Sequence, residues 1–154
     1  MLAVYSKVVE RGLVHLVGPW SNVLGDDPAG FVRFNRLFDV SGKFVCYSEF
    51  YISATRFGGI LNRPNDGREA ANLRKILAAE FRTPTLYLRQ RARVEPLTER
   101  ICELLAIDRG SSGMKLELIG HGFEDAPISY QTIWIPPTHY LLDLSRVRPF
   151  ELKE

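Results

Sequence analysis

The chain alternates short apolar stretches with turn-forming runs, and the period of each stretch predicts its element. Residues 31–38 ("FVRFNRLF") and 43–52 ("KFVCYSEFYI") have the make-up of strands. The intervening "DVSG" supplies the turn residues Asp39, Ser41 and Gly42, so a β-hairpin is expected. A second hairpin is expected from 113–122 ("GMKLELIGHG") and 127–135 ("PISYQTIWI"), turned through "FEDA". Between the hairpins, Leu73, Ile76, Leu77 and Phe81 make one apolar stripe of a helix over 68–82, which Thr83-Pro84 ends. The run "TLYLRQRARV" at 85–94 alternates as a half-buried strand does. Residues 95–107 ("EPLTERICELLAI") predict a second helix, opened by Glu95-Pro96, with Leu97, Ile101, Leu104 and Leu105 on one face. Toward the N-terminus, 13–17 ("LVHLV") reads as a strand ended by Gly18-Pro19, and 2–10 as a short helical turn ending at Gly12. Residues 56–67 ("RFGGILNRPNDG") read as a loop.

One strand is written twice. "VCYSEFYISATRF" at 45–57 and "ISYQTIWIPPTHY" at 128–140 keep their chemistry at a single offset: Tyr47 meets Tyr130, Ile52 meets Ile135, and Thr55-Arg56-Phe57 meets Thr138-His139-Tyr140. Each copy is the return strand of a hairpin, and similar runs, "LGDDPAG" and "LAIDRGSSG", precede the two hairpins. A lone hairpin is marginal in water. Two related hairpins joined by helices therefore predict one pseudo-symmetric antiparallel sheet with helices packed against it, an α+β fold.

Composition narrows the class. A chain of 154 residues fits a single domain, here the whole of 1–154. A net charge of +2 gives no bulk electrostatic reason to bind nucleic acid. Cys46 and Cys102 sit in apolar patterns and are expected as reduced core residues. No apolar run is long enough to span a membrane, and "MLAVYSKVVERG" lacks the apolar region of a signal peptide. A cytoplasmic protein is the expectation.

Few residues point to chemistry. His15, His121 and His139 have no metal-ligand spacing with one another or with the cysteines, and no phosphate-binding or dinucleotide fingerprint occurs, so neither metal nor cofactor is expected. Arg89, Arg91 and Arg93 share one strand face, which could receive an acidic partner but reads first as the solvated face of a half-covered sheet. Arg33 and Arg36 lie on opposite faces of their strand, so one guanidinium points to the covered side of the sheet. There it needs either a carboxylate, for which Glu49 is a candidate, or an anionic ligand.

The ordered runs "YSKVVERGL", "LGDDPAGFVRFNRLFDVSGKFVCYSEFYI", "NLRKILAAEF", "RVEPLTERICELLAIDRG" and "APISYQTIWIPPTHY" resemble the UTRA domain. That is the effector-binding domain of HutC-type regulators of the GntR family, with a fold shared with chorismate lyase. The resemblance implies that Tyr5 and Ser6 help close over an effector and that Arg36 binds its anionic group. A second arginine of sugar-phosphate-sensing members falls at Phe38, and glutamates of those members fall at Ser48 and Ser129. Their hydroxyl and aromatic residues at a helix start become Asn72 and Arg74, while a closing tyrosine is kept as Tyr140. These departures imply a less charged, more apolar pocket, with Tyr130 as a further wall. "GPWSNVLGDD" leaves little room for the family's first helix.

The function so implied is sensing of a small carboxylate- or phosphate-bearing metabolite by a homodimer. DNA would be read only through an N-terminal winged helix-turn-helix not in this chain. Two alternatives stand beside it. A chorismate lyase-like enzyme would need an acid where Ser129 stands, and a ligand-free dimerisation module would satisfy Arg36 internally, with Glu49.

Overall fold

The structure, a computed structural model, describes residues 4–65 and 68–140, with side chains at all of these except 4–7 and 68–72. Six antiparallel strands form one sheet: β1 (Val4–Val14), β2 (Phe31–Val40), β3 (Phe44–Ser53), β4 (Tyr87–Pro96), β5 (Ser112–His121) and β6 (Pro127–Ile135). Their spatial order is β1-β2-β3-β6-β5-β4. Each half is therefore a three-stranded meander, and the halves meet where β3 pairs with β6. In that pairing Glu49 lies opposite Thr132, two positions that the internal repeat also makes equivalent, so a pseudo-twofold axis passes through this pair. The pseudo-symmetric antiparallel sheet expected from the repeated strand is the one observed.

Local chemistry explains the joints. The β2–β3 loop is Ser41, Gly42 and Lys43; Ser41 and Gly42 have positive φ, the Lys43 N–H donates to the Val40 carbonyl at 2.9 Å, and Asp39 Oδ1 accepts from the Gly42 N–H at 2.7 Å. Helix α1 (Pro19–Leu24) has proline in its first turn. At six residues it fits the segment that the sequence marked as too short for much of a helix. Helix α2 (Ala54–Phe57) and a 3-10 turn (Gly58–Asn62) occupy the stretch expected as loop. Helix α3 spans Arg68–Glu80. Arg82 has φ 52°, and the Thr83 N–H closes back on the Leu77 carbonyl at 3.0 Å, ending the helix.

Two expectations are corrected. The N-terminal segment is one edge strand, not a helical turn followed by a separate strand. A bulge between Val8 and Glu10 shifts the alternation, so Val8 and Leu13 reach the same face although their spacing is odd. Helix α4 runs Glu99–Leu105, starting later than the acid-proline pair suggested. Pro96 still pairs with Ser112 in the sheet, and Thr98 caps the helix, its Oγ1 accepting from the Ile101 N–H at 3.3 Å.

Residues paired across strands share a face. On one face, Val32, Phe34, Phe50 and Ile52 pack under Leu73, Ile76 and Leu77 of α3. On the other, α1 brings Trp20 flat onto Tyr51, with ring centroids 4.2 Å apart, and α4 packs Ile101, Cys102 and Leu105 against Tyr47. Both cysteines are buried and free, as expected.

Candidate functional site

The α3 face carries an unusual set of polar groups in its core. Arg36 pairs with Ser48 across β2 and β3, and both are buried, at 4% and 0% exposure. Phe34, Phe50 and Gln131 form the adjacent row through β2, β3 and β6. From above, α3 lowers Arg74, also buried, so that its Nη2 donates to Gln131 Oε1 at 2.8 Å. Gln131 Nε2 in turn donates to Ser48 Oγ at 2.9 Å.

Two guanidinium groups converge on one aromatic ring. The guanidinium carbons of Arg36 and Arg74 each lie 5.3 Å from the Phe50 centroid, and Arg36 also sits 4.9 Å from that of Phe38. A ring face attracts a cation weakly compared with a carboxylate. Burial, and after it the charge of Arg74, push the pKa of Arg36 down, and burial alone does the same to Arg74. Arginine stays protonated regardless, so both guanidinium groups are held as cations in a place where burial disfavours charge. Among the described residues no carboxylate lies within ion-pair distance of Arg74, whose Nε is buried without a hydrogen-bond partner. Such an arrangement is complementary to an anion.

The site residues expected from sequence separate into groups. Arg36, Phe38, Ser48 and Arg74 come together, and Ser129 lies on the same face, two residues along β6 from Gln131. Tyr130 does not join them. Strand alternation turns it to the opposite face, where it packs with Phe31, Tyr51 and Ile119 and its hydroxyl donates to Glu117. Burial first, and the Glu117 hydrogen bond after it, push its phenol up to about 12. Tyr140 stacks near Phe44, centroids 6.1 Å apart, toward the β2–β3 turn and about 13 Å along β3 from Ser48. Tyr5 and Ser6 lie on β1 opposite Asp39 and Phe38, but their side chains, and that of Asn72 on α3, fall outside the described residues.

Glu49 is likewise not the internal partner of Arg36. It faces the α1–α4 side, where its two carboxylate oxygens accept from Tyr47 at 3.1 Å and Tyr51 at 3.0 Å. Arg33, on that same side, lies 3.7 Å from Glu10. Arg89, Arg91 and Arg93 are exposed, with Arg91 on Glu117 and Arg93 on Glu95, so they form the solvated face expected. Sequence reading missed Gln131 and Phe50. The signal was present: period-2 alternation from Ser129 and Ser48 reaches both. Among the described residues no three His, Cys, Asp or Glu side chains group to hold a metal, and no described helix is long and apolar enough to cross a membrane.

Comparison with known proteins agrees with this architecture. The GntR-family transcriptional regulator from Enterococcus faecalis V583 superposes with TM-score 0.76 at 15% identity, covering 92% of this chain and 99% of that one. The effector domain of PhnF from Mycobacterium smegmatis gives 0.73 at 16% identity, covering 88% and 82%. The C-terminal domain of Yurk from Bacillus subtilis gives 0.75 at 15%, covering 84% and 88%. At such identities the likeness establishes the fold. A sequence comparison with curated proteins returns no match. The profile of the UTRA domain matches residues 26–140, from the loop before β2 to the end of the described chain, and the chain belongs to the UTRA domain family.

Proposed function

We propose that this chain is the effector-sensing part of a GntR-type transcriptional regulator and that it binds a small anionic metabolite between Arg36 and Arg74. The observation that carries the reading is the buried arginine pair over Phe50, held in place by the Gln131–Ser48 hydrogen bond. An anion there would accept from both guanidinium forks and relieve their mutual repulsion. Arg74 enters from α3 and supplies the second cation that Phe38, at the family's second arginine position, does not.

Because Arg74 stands on a helix and Arg36 on the sheet, ligand binding would tie α3 to β2. It would thereby favour one arrangement of the regulator over another through differential affinity. DNA is read in this scheme by a winged helix-turn-helix domain encoded outside this chain, and the functional unit is a cytoplasmic homodimer. A lyase would need a proton donor where Ser129 presents only a hydroxyl, which leaves sensing as the better fit.

Thermal shift with sulfate, phosphate, acetate and citrate tests the reading. At least one anion is expected to raise the Tm of the wild type and not that of Arg36→Ala or Arg74→Met. Equal shifts in all three proteins would show that the arginine pair is not the anchor.

A further inference from the structure

One row of the sheet is polar at every strand. Read across the register, it runs Glu10, Asn35, Glu49, Thr132, Glu117 and Arg91, on the α1–α4 side. The rows flanking it are apolar and aromatic at their centres, and those are what the helices cover. Helix α1 packs with Tyr51, Tyr130 and Ile119, and α4 with Leu37, Tyr47 and Trp134. The polar row is the strip left between the two helices. Its ends, Glu10 and Arg91, are exposed, and its carboxylates Glu49 and Glu117 are partly so, while Asn35 and Thr132 are buried beside them.

Charge along this row does not balance at its centre. Glu10 lies 3.7 Å from Arg33, and Glu117 is bound by Arg91. Glu49 has only the phenols of Tyr47 and Tyr51, and among the described residues no cation lies within ion-pair distance of it. A carboxylate offers about four acceptor positions, and the phenols fill only one on each oxygen. Directly opposite stands Asn35, 1% exposed. Its Nδ2 donates to Glu10 Oε2 at 3.5 Å, which turns Oδ1 away from Glu10, and that oxygen has no hydrogen-bond partner among the described residues. Side chains paired in this way stand about 5 Å apart at Cβ, so one small donor can serve both.

The open groups here are acceptors with no proton to give, and their complement is a cation that carries its own N–H donors. We propose that Glu49 and Asn35 form a second binding site, for the primary ammonium group of a small amine, on the face of the sheet opposite to Arg36 and Arg74. An ammonium carries three donors on one compact centre, enough for a carboxylate oxygen of Glu49 and for Asn35 Oδ1. The site stands independently of the anion-sensing reading and takes a ligand of the opposite charge.

The test is an NMR titration of the 15N-labelled whole chain with butylammonium chloride at neutral pH, sodium chloride being reduced to hold ionic strength constant. Saturable shifts are expected at the amides of Asn35, Glu49 and Thr132. Glu49→Gln, whose amide oxygen can still accept from a phenol, is expected to weaken binding at least about tenfold, the loss of a charge-assisted hydrogen bond. Glu117→Gln alters a carboxylate already paired with Arg91 and is expected to change the affinity by no more than about twofold. Tetramethylammonium, with the same charge and no N–H, is expected to give no saturable shift. The two wild-type titrations decide the matter even where Glu49→Gln fails to fold. No saturable response to butylammonium, as a resident water on Asn35 would give, overturns the site. So do equal responses to the two cations, shifts centred away from this row, and an affinity that survives Glu49→Gln.

Discussion

Ser48 and Gln131 occupy equivalent positions in the two halves of the sheet, 83 residues apart, and hydrogen-bond each other across the seam at 2.9 Å. Each would otherwise be a buried polar side chain among aromatics. Together they form the floor on which Arg74 rests, so the internal repeat and the candidate site are one feature. Both residues lie one step from the pseudo-twofold axis at Glu49 and Thr132, where the halves come closest in register.

The arginine pair predicts a trade of stability against binding. Arg74→Met replaces a buried cation with an apolar chain of similar length, and such changes are commonly neutral or stabilising. The ligand-free variant is expected to keep its stability or gain up to about 2 kcal/mol, with no response to any anion that stabilises wild type. Urea denaturation with and without ligand reads both quantities, and a large loss in the free variant would show Arg74 to be a structural residue.

The opposite face predicts a silent variant. Tyr130→Phe removes a hydroxyl that donates to Glu117 on the α1–α4 side. Stability should fall by about 1 kcal/mol or less, because Glu117 keeps Arg91 as a partner. The anion-induced Tm shift should be the same as in wild type. A reduced shift would place Tyr130 in the site after all.

The loop before β2 predicts a dependence on pH. Burial is the largest single effect on the Asp27 carboxyl and pushes it up, but hydrogen bonds from the Ser53 and Thr55 hydroxyls and the Thr55 and Ala29 N–H groups together outweigh it and hold the carboxyl far below the ordinary carboxylate range. A carboxyl with a depressed folded pKa contributes stability that is complete above its unfolded value, near 3.8, and is lost as pH falls below it toward the folded value. Asp27→Asn should therefore melt below wild type at pH 7, and the gap should narrow steadily below about pH 4. A gap that does not change between pH 7 and pH 3 would mean that the charge of Asp27 contributes nothing.

Packing at the β4–β5 end predicts a purely structural defect. A Cβ at Gly113 would lie 2.4 Å from the Ile135 carbonyl oxygen and 2.8 Å from Leu97 Cδ1, so backbone as well as side chain must move. Gly113→Ala is expected to cost about 1–3 kcal/mol and to leave anion affinity unchanged where the protein remains folded. Equilibrium unfolding and calorimetry together decide it.

The sheet was legible from sequence because its strands are written with clear alternation, its hairpin turn carries Asp39, Ser41 and Gly42 at the needed positions, and β3 and β6 are near copies. The edge strand was not, because the bulge at Val8–Glu10 hides a period of two within a spacing that also fits a helical turn. In the site, strand alternation said only that one of Arg33 and Arg36 faces the covered side, and the choice of Arg36 and of Ser48 came from the resemblance. Tyr130 was misplaced because resemblance joins neighbours in sequence, whereas a strand sends neighbours to opposite faces.

The seam between β3 and β6 also sets the order of events in folding. Every other strand pairing joins neighbours in sequence, so each meander can form from contacts within its own half of the chain. The seam needs the two halves to find each other across the helix-bearing middle of the chain, the slow kind of contact. Gln131 reaches Ser48 only when that step is complete. The proposed anion site would therefore be absent from any chain with just one half folded. A molecule binding through it would have finished folding, and a saturating ligand would slow loss of the native state without speeding its formation.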